Sequence, residues 1–352
     1  MSERSTLRLS PDDRRLVWDG VDRFGADGAG LRPWRLAPER AAVALSPALA
    51  AAGRQAAGVR FALHTDAHSL TVRLAVDHAG AKPIDVLVGD GPKPHPVRLP
   101  VTQGSNEARL VLPGEPVDVE VWLPHNAGVL LTGLVLQDAG FVQPTEPSFA
   151  VSWTAYGSSL TQSLAASGPS RTWSARVARR NGWRLRNLGL SGEAHLDQAV
   201  ARAIRDSPAD LITLELGINT YILTSFNART LASAIGGFLA TIRDAHPQTP
   251  IVVWGPFVSA AREDTVNAVG LTLRQVRRIV EGSVEQLIED GDHALHLLDA
   301  TSLVGAADAG LLMDGLHPSA DGELVLADRI AAALAAVTAV AAADLPAPLS
   351  RA

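Results

Sequence analysis

Hydrophobic patterning in this chain changes period once, near residue 145, and that change limits the folds open to it. Before it, apolar residues alternate with polar ones: Ser69–Val76, Asn106–Leu112 and Val117–Leu123 each put every second side chain on one face. Period-two alternation of this length marks half-buried antiparallel strands. Turn clusters such as Pro113-Gly114-Glu115-Pro116 separate the runs. Many short strands at close spacing predict an all-β sandwich over residues 1–145.

Beyond a proline-interrupted connector at Gln143–Pro147 the rhythm becomes strand, helix, strand. Strands are expected at Ser148–Tyr156, Leu185–Leu190, Asp210–Leu216, Pro250–Gly255 and His296–Asp299. Helices are expected at Thr172–Arg180, Ala194–Arg205, Ala228–His246, Val266–Glu289 and Asp321–Ala342. Such alternation implies a parallel sheet with helices on both faces. The reading is a flavodoxin-like, doubly wound α/β domain over residues 150–345, preceded by the sandwich. Ligands of such sheets bind beyond the carboxyl ends of the strands.

Four segments fall where that rule puts chemistry. Gly157-Ser158-Ser159-Leu160-Thr161 follows the first expected strand, and Asn187 to Gly192 ends the second. Leu216-Gly217-Ile218-Asn219 ends the third, and Asp314-Gly315-Leu316-His317 leads into the last helix. A carboxylate three residues before a histidine, far downstream of a Gly-bracketed serine, is what serine acyl transfer requires. On one helical turn, positions i and i+3 share a face, so Asp314 is expected to hold the imidazole of His317. His317 then takes the proton of Ser159. The tetrahedral intermediate needs donors already aimed at its oxyanion, and the natural three are the N–H of Ser159, the N–H of Gly192 and the side-chain amide of Asn219. Glycine at 192 keeps a Cβ out of the oxyanion's way. Asp299 also ends a strand, but Asp314 lies nearer to His317. Ser158, His195 and Trp254 are candidates for lining the substrate site or orienting the nucleophile loop.

Composition narrows the chemistry. The 352 residues carry a net charge of −6 and no cysteine. No basic footprint for nucleic acid is present, and disulfides, thiolate metal sites and cysteine nucleophiles are excluded. The scattered histidines, His64, His78 and His125 among them, show no ligand spacing, so no metal and no cofactor is expected. Ile330–Ala343 is an apolar run of 14 residues, too short to span a bilayer. Met1–Thr6 lacks the apolar core of a secretory leader, so the expected location is cytoplasmic.

Taken in order, the four segments resemble the SGNH (GDSL) hydrolase superfamily over most of residues 150–340. The resemblance puts Ser159 at the nucleophile, Asp314 and His317 at the rest of the triad, and Gly192 and Asn219 at the oxyanion donors. One departure stands out: the family's Gly-Asp-Ser-Leu reads Gly157-Ser158-Ser159-Leu160 here, so the acidic residue before the nucleophile is missing. The wording from Gly157 to Gln162 and the β-rich first half, with Trp34-Arg35-Leu36 and Gly58-Val59-Arg60-Phe61 beside them, look like a branch with an N-terminal sandwich, which is carbohydrate-binding-like or accessory. Relatives of that kind include carbohydrate esterases and acyltransferases that tailor natural products. The resemblance implies an esterase acting on a small acyl ester through an acyl-enzyme. A transferase moving an acyl group from a thioester donor to an alcohol acceptor stays open beside it. A rival of another class is a non-catalytic ligand-binding module, against which the complete Ser159, Gly192, Asn219, Asp314 and His317 set argues.

Overall fold

The structure is a computed structural model that describes residues 5–89, 96–145 and 151–343. The start of the chain before Ser5, the end of the expected connector and the start of the expected strand at Ser148 lie outside the described residues.

Two six-stranded antiparallel sheets build the first half. One runs Arg23–Asp27, Gly30–Trp34, Val129–Ala139, Ser69–Val76, Gly104–Val111, with Ser5–Leu9 also paired to Val129–Ala139. The other runs Val142–Gln143, Arg60–Thr65, Val117–Trp122, Ile84–Val88, Val97–Leu99, with Val17–Asp19 on Arg60–Thr65. Leu70, Val72 and Leu74 of the first sheet and Phe61, Leu63, Val119 and Val121 of the second share one buried core. The three strands expected from alternation are present, Ser69–Val76 with its expected ends and the other two with ends shifted by a residue or two.

Trp122 and Leu87 break the alternation for a visible reason. Each sits out of step with the inward-facing Val119, Val121 and Val86, yet both are buried. They belong to the core of the second half, so the α/β layer covers the part of this sheet's outer face where they stand, while His64 and Asp118 on the same face stay partly exposed. The all-β expectation for residues 1–145 is corrected by two short helices, Pro38–Val43 and Pro47–Arg54. Proline in the first turn is preorganised for a helix start, the alanines that follow favour helix, and the Ser46 hydroxyl caps the Leu49 N–H at 3.0 Å.

The second half is a five-stranded parallel sheet in the order Trp183–Gly189, Val151–Gly157, Leu211–Glu215, Ile251–Trp254, Leu295–Leu297. In chain order this is 2-1-3-4-5, the flavodoxin-like arrangement, whose switch point lies between the first and third strands. Two expected helices begin later than the pattern suggested. Ala194–Arg205 shrinks to Gln198–Arg205, because Leu196 takes a left-handed φ of 61° with its N–H bound to the Tyr156 hydroxyl. Val266–Glu289 shrinks to Leu273–Glu289, capped by Thr272. Ahead of that cap, Asn267 folds the segment into a turn by accepting from the N–H groups of Val269 and Leu271.

The two halves are locked together by buried polar contacts. Arg35 is fully buried and donates to the carbonyls of Asn187 (2.8 Å) and Gly189 (2.9 Å) at the end of a parallel strand. Asp85 accepts from the N–H and hydroxyl of Ser170, and Asp19 pairs with Arg184 at 2.7 Å. Among the described residues, no helix is long and apolar enough to cross a membrane.

Candidate active site

Strand Val151–Gly157 ends in a turn that throws Ser159 onto the first position of a short helix, Ser159–Gln162. Ser158 caps that helix through its hydroxyl, which accepts from the Leu160 N–H at 3.1 Å. Ser159 retains 7% of its surface, enough for its hydroxyl to meet a substrate. That hydroxyl donates to Nε2 of His317 at 2.8 Å. On the far side of the ring, Nδ1 donates to Asp314 Oδ2 at 2.7 Å. Asp314 is an acceptor only, so it places the ring proton on Nδ1 and leaves the Nε2 lone pair facing Ser159.

The geometry linking Asp314 and His317 is not the helical turn expected from the spacing. The segment is a loop in which Asp314 Oδ1 accepts from the backbone N–H groups of Leu316 (3.0 Å) and His317 (2.7 Å). Backbone bonds from Met313 N–H to the His317 carbonyl and from Ser319 N–H to the Leu311 carbonyl close it. The Ser259 hydroxyl, in the loop after the strand Ile251–Trp254, ties it down by donating to the Gly315 carbonyl at 2.7 Å. Partial burial pushes the Asp314 carboxyl up, but the His317 and Leu316 N–H groups and the imidazole together pull harder, and it settles at about 2. Asp314 is therefore a carboxylate at any working pH. Asp299 is occupied elsewhere: it caps the helix Ala300–Leu303 through Thr301.

Gly192 and Asn219 stand past the ends of the second and third parallel strands. Gly192 has φ of +76° with open space where a Cβ would stand, so the backbone conformation, besides any approach to substrate, requires glycine. Among the described residues its N–H meets no backbone or side-chain acceptor. Asn219 is 5% exposed, and its side-chain oxygen accepts from the Ala194 N–H at 3.1 Å. That bond fixes the amide's orientation and leaves its NH2 group without a partner among the described residues. His195 lies in the same loop and not at a helix start. Its Nε2 donates to the Gly192 carbonyl (2.8 Å) while the Ser225 hydroxyl donates to its Nδ1 (2.7 Å).

The remaining two candidates point inward. Ser158 is fully buried, and its hydroxyl donates to Glu215. Trp254 is 1% exposed and packs edge-on against Trp173, ring centres 6.2 Å apart, so the structure keeps it in the core. Behind Ser159 lies a layer of buried polar contacts whose partners the sequence does not reveal. Gln162 accepts from the Ser191 N–H at 3.0 Å and donates to Gln55 and to the His125 carbonyl. Burial pushes the Glu215 carboxyl up to about 7, against the pull of its donors from Ser158 and Thr161. The available signal was a lone carboxylate inside the apolar run Leu211–Leu216. Among the described residues, no cluster of three or more His, Cys, Asp or Glu gathers to hold a metal ion.

A sequence model of the GDSL-like lipase/acylhydrolase family matches residues 152–335, more than half of the chain. No curated protein matches in sequence. Among solved structures, the salicylyl-acyltransferase SsfX3 from a tetracycline biosynthetic pathway is similar at a TM-score of 0.86 and 28% identity, covering 96% of this chain and 98% of that one. A GDSL-like lipase candidate from Bacteroides ovatus is similar at a TM-score of 0.79 and 20% identity, covering 95% and 98%. A family two carbohydrate esterase from Clostridium thermocellum is similar at a TM-score of 0.68 and 14% identity, covering 92% and 99%. These last two carry information on fold alone. With the family match over the whole parallel-sheet half, the chain belongs to the GDSL-like lipase/acylhydrolase family.

Proposed function

We propose that this protein is a serine acyl-ester hydrolase working through an acyl-enzyme, with Ser159 as nucleophile, His317 as base and then acid, and Asp314 as the group that orients His317. The observation that carries the reading is the unbroken relay from Ser159 through His317 to Asp314, at 2.8 and 2.7 Å. Ser159 Oγ attacks the acyl carbon as its proton passes to His317 Nε2. The former carbonyl oxygen takes the negative charge and is met by the N–H of Ser159, the N–H of Gly192 and the free amide of Asn219. Collapse breaks the ester C–O bond, and the leaving alkoxide takes the proton from Nε2. Water then repeats the sequence on the acyl-enzyme and frees the acid and Ser159. No cofactor enters these steps.

A second reading has one specific observation in its favour: likeness to an acyltransferase extends over both halves of the chain. In that reading a thioester acylates Ser159, a thiol leaves with the proton, and an alcohol takes the place of water. Residues 150–345 carry the chemistry in either case. Residues 1–145 supply the buried bonds from Arg35 and Gln55 that support the site from below. The substrates are small acyl esters, and the place of action is the cytoplasm.

The test is the time course of p-nitrophenol release from short acyl esters, wild type beside Ser159→Ala. Steady turnover that is lost in the variant supports the hydrolase. A burst of one equivalent followed by near silence supports the transferase, and added alcohols should then restore turnover. Turnover that survives Ser159→Ala refutes both.

A further inference from the structure

Ser158 stands where the family's wording has an acid, yet a carboxylate is present at that spot. It arrives from a different strand. Glu215 ends the parallel strand Leu211–Glu215, is 1% exposed, and brings one oxygen, Oε2, against the nucleophile turn. That oxygen accepts from the Ser158 N–H (2.7 Å), the Ser158 hydroxyl (2.7 Å) and the Thr161 hydroxyl (3.1 Å). These donors lie on both sides of Ser159 in sequence. The approach is tight: a Cβ on Gly157 would stand 2.5 Å from Oε2 and 2.2 Å from the Thr161 hydroxyl, so glycine at 157 makes room for the carboxylate. Four residues after Glu215 comes Asn219, carried on the same strand-to-helix connection. A single side chain thus joins the turn bearing the nucleophile to the segment bearing an oxyanion donor.

We propose that Glu215 is the positioning residue of the nucleophile turn, supplying from the third parallel strand the carboxylate that position 158 lacks, and so setting Ser159 against Asn219. The inference rests on the Ser159 acyl-enzyme reading. Glu215 touches neither substrate nor His317. It acts by giving three buried donors one acceptor, and a buried donor left without an acceptor is expensive. Without it, Ser158 and Thr161 must find other partners and the turn shifts. A displacement near 1 Å at a nucleophile is enough to cost about 100-fold in rate.

The test moves the carboxylate. Glu215→Ala is expected to lower kcat about 100-fold with little change in KM. Glu215→Gln keeps the size and one acceptor oxygen and should hold most of the activity. Ser158→Asp should lower kcat in the wild-type background, because two buried carboxylates then crowd one site. Combined with Glu215→Ala, the same Ser158→Asp should raise kcat well above that of Glu215→Ala alone, since its carboxylate enters the vacated space and still caps the helix. A purely structural role for Glu215 gives no such reversal of sign. If Glu215→Ala fails to fold, Ser158→Asp with and without Glu215→Gln carries the comparison: harmful alone, it should be mild in the combination. Wild-type kcat in Glu215→Ala, or a Ser158→Asp effect of the same sign and size in every background, overturns the proposal. Ser159→Ala is run alongside. If it retains turnover, the acyl-enzyme reading fails; if it is dead while Glu215→Ala is fully active, only the positioning role fails.

Discussion

Asn219 offers a test in which catalysis and folding can be separated within one side chain. Its oxygen is committed to the Ala194 N–H at 3.1 Å, and its NH2 group has no partner among the described residues. The two ends therefore do different jobs. Losing an oxyanion donor costs about 3–4 kcal/mol of transition-state stabilisation, or 10²–10³ in kcat. Losing the bond to Ala194 costs about 1 kcal/mol of folding stability. Asn219→Ala removes both, so kcat should drop by that factor, KM should barely move, and the melting temperature should fall by about 1–3 °C. Asn219→Asp keeps the acceptor for Ala194 but replaces the donor with a negative oxygen facing the developing oxyanion. It should melt near the wild type and lose at least as much kcat as the alanine variant. Steady-state kinetics on a p-nitrophenyl ester and thermal melts of the three proteins decide the matter. An aspartate variant with near-normal kcat refutes the reasoning, and an effect confined to KM makes Asn219 a substrate contact.

Ser159→Ala and His317→Ala should each lower kcat by about 10⁴ or more, with Asp314→Ala costing less. Asp299→Ala should be silent, since Asp299 only caps a helix; a silent Asp314→Ala beside a lethal Asp299→Ala would overturn the triad. Arg35→Met removes the buried donor to the carbonyls of Asn187, Gly189, Ala52 and Gln55, of which Ala52 keeps its bond from the Gln55 N–H, so the urea midpoint should report a loss of about 3 kcal/mol or more; a loss under about 1 kcal/mol contradicts the claim that Arg35 locks the halves. Burial pushes the carboxyls of Glu215 and Glu323 up to about 7 and about 8. Each favours the folded state while protonated, so that stability is complete below the ordinary carboxyl range and is lost as pH rises through those values. Glu323→Gln should therefore melt with a shallower decline than the wild type between about pH 5 and pH 9, and parallel curves would refute the assignment.

Much of the fold was legible because the two halves follow two different periods, and period is the strongest signal in a sequence. Where structure departs from local pattern, tertiary contacts override it. Trp122 looked outward-facing until a second layer covered its face. The helix expected from Ala194 could not begin before the left-handed Leu196, which the buried Tyr156 hydroxyl holds. Ser159, Asp314 and His317, which the structure joins in one hydrogen-bonded chain, were picked out by their types and order. The contacts of Glu215, Gln162 and Arg35 were not, since each bonds to backbone or side chains that only the fold brings near. Arg35 and Gly58 illustrate the difference. Both lie in segments that carry the family resemblance, and the structure puts both at the junction, with Gly58 closing on Asn187.

The central claim is that Ser159 is an activated nucleophile. The most direct measurement treats the full chain with a fluorophosphonate probe and maps the adduct by peptide mass spectrometry, with Ser159→Ala and His317→Ala alongside. The account predicts one adduct per chain, on Ser159, formed with loss of fluoride, absent from Ser159→Ala and strongly slowed in His317→Ala. An unlabelled wild-type chain, or an adduct on another residue that persists in Ser159→Ala, would contradict it.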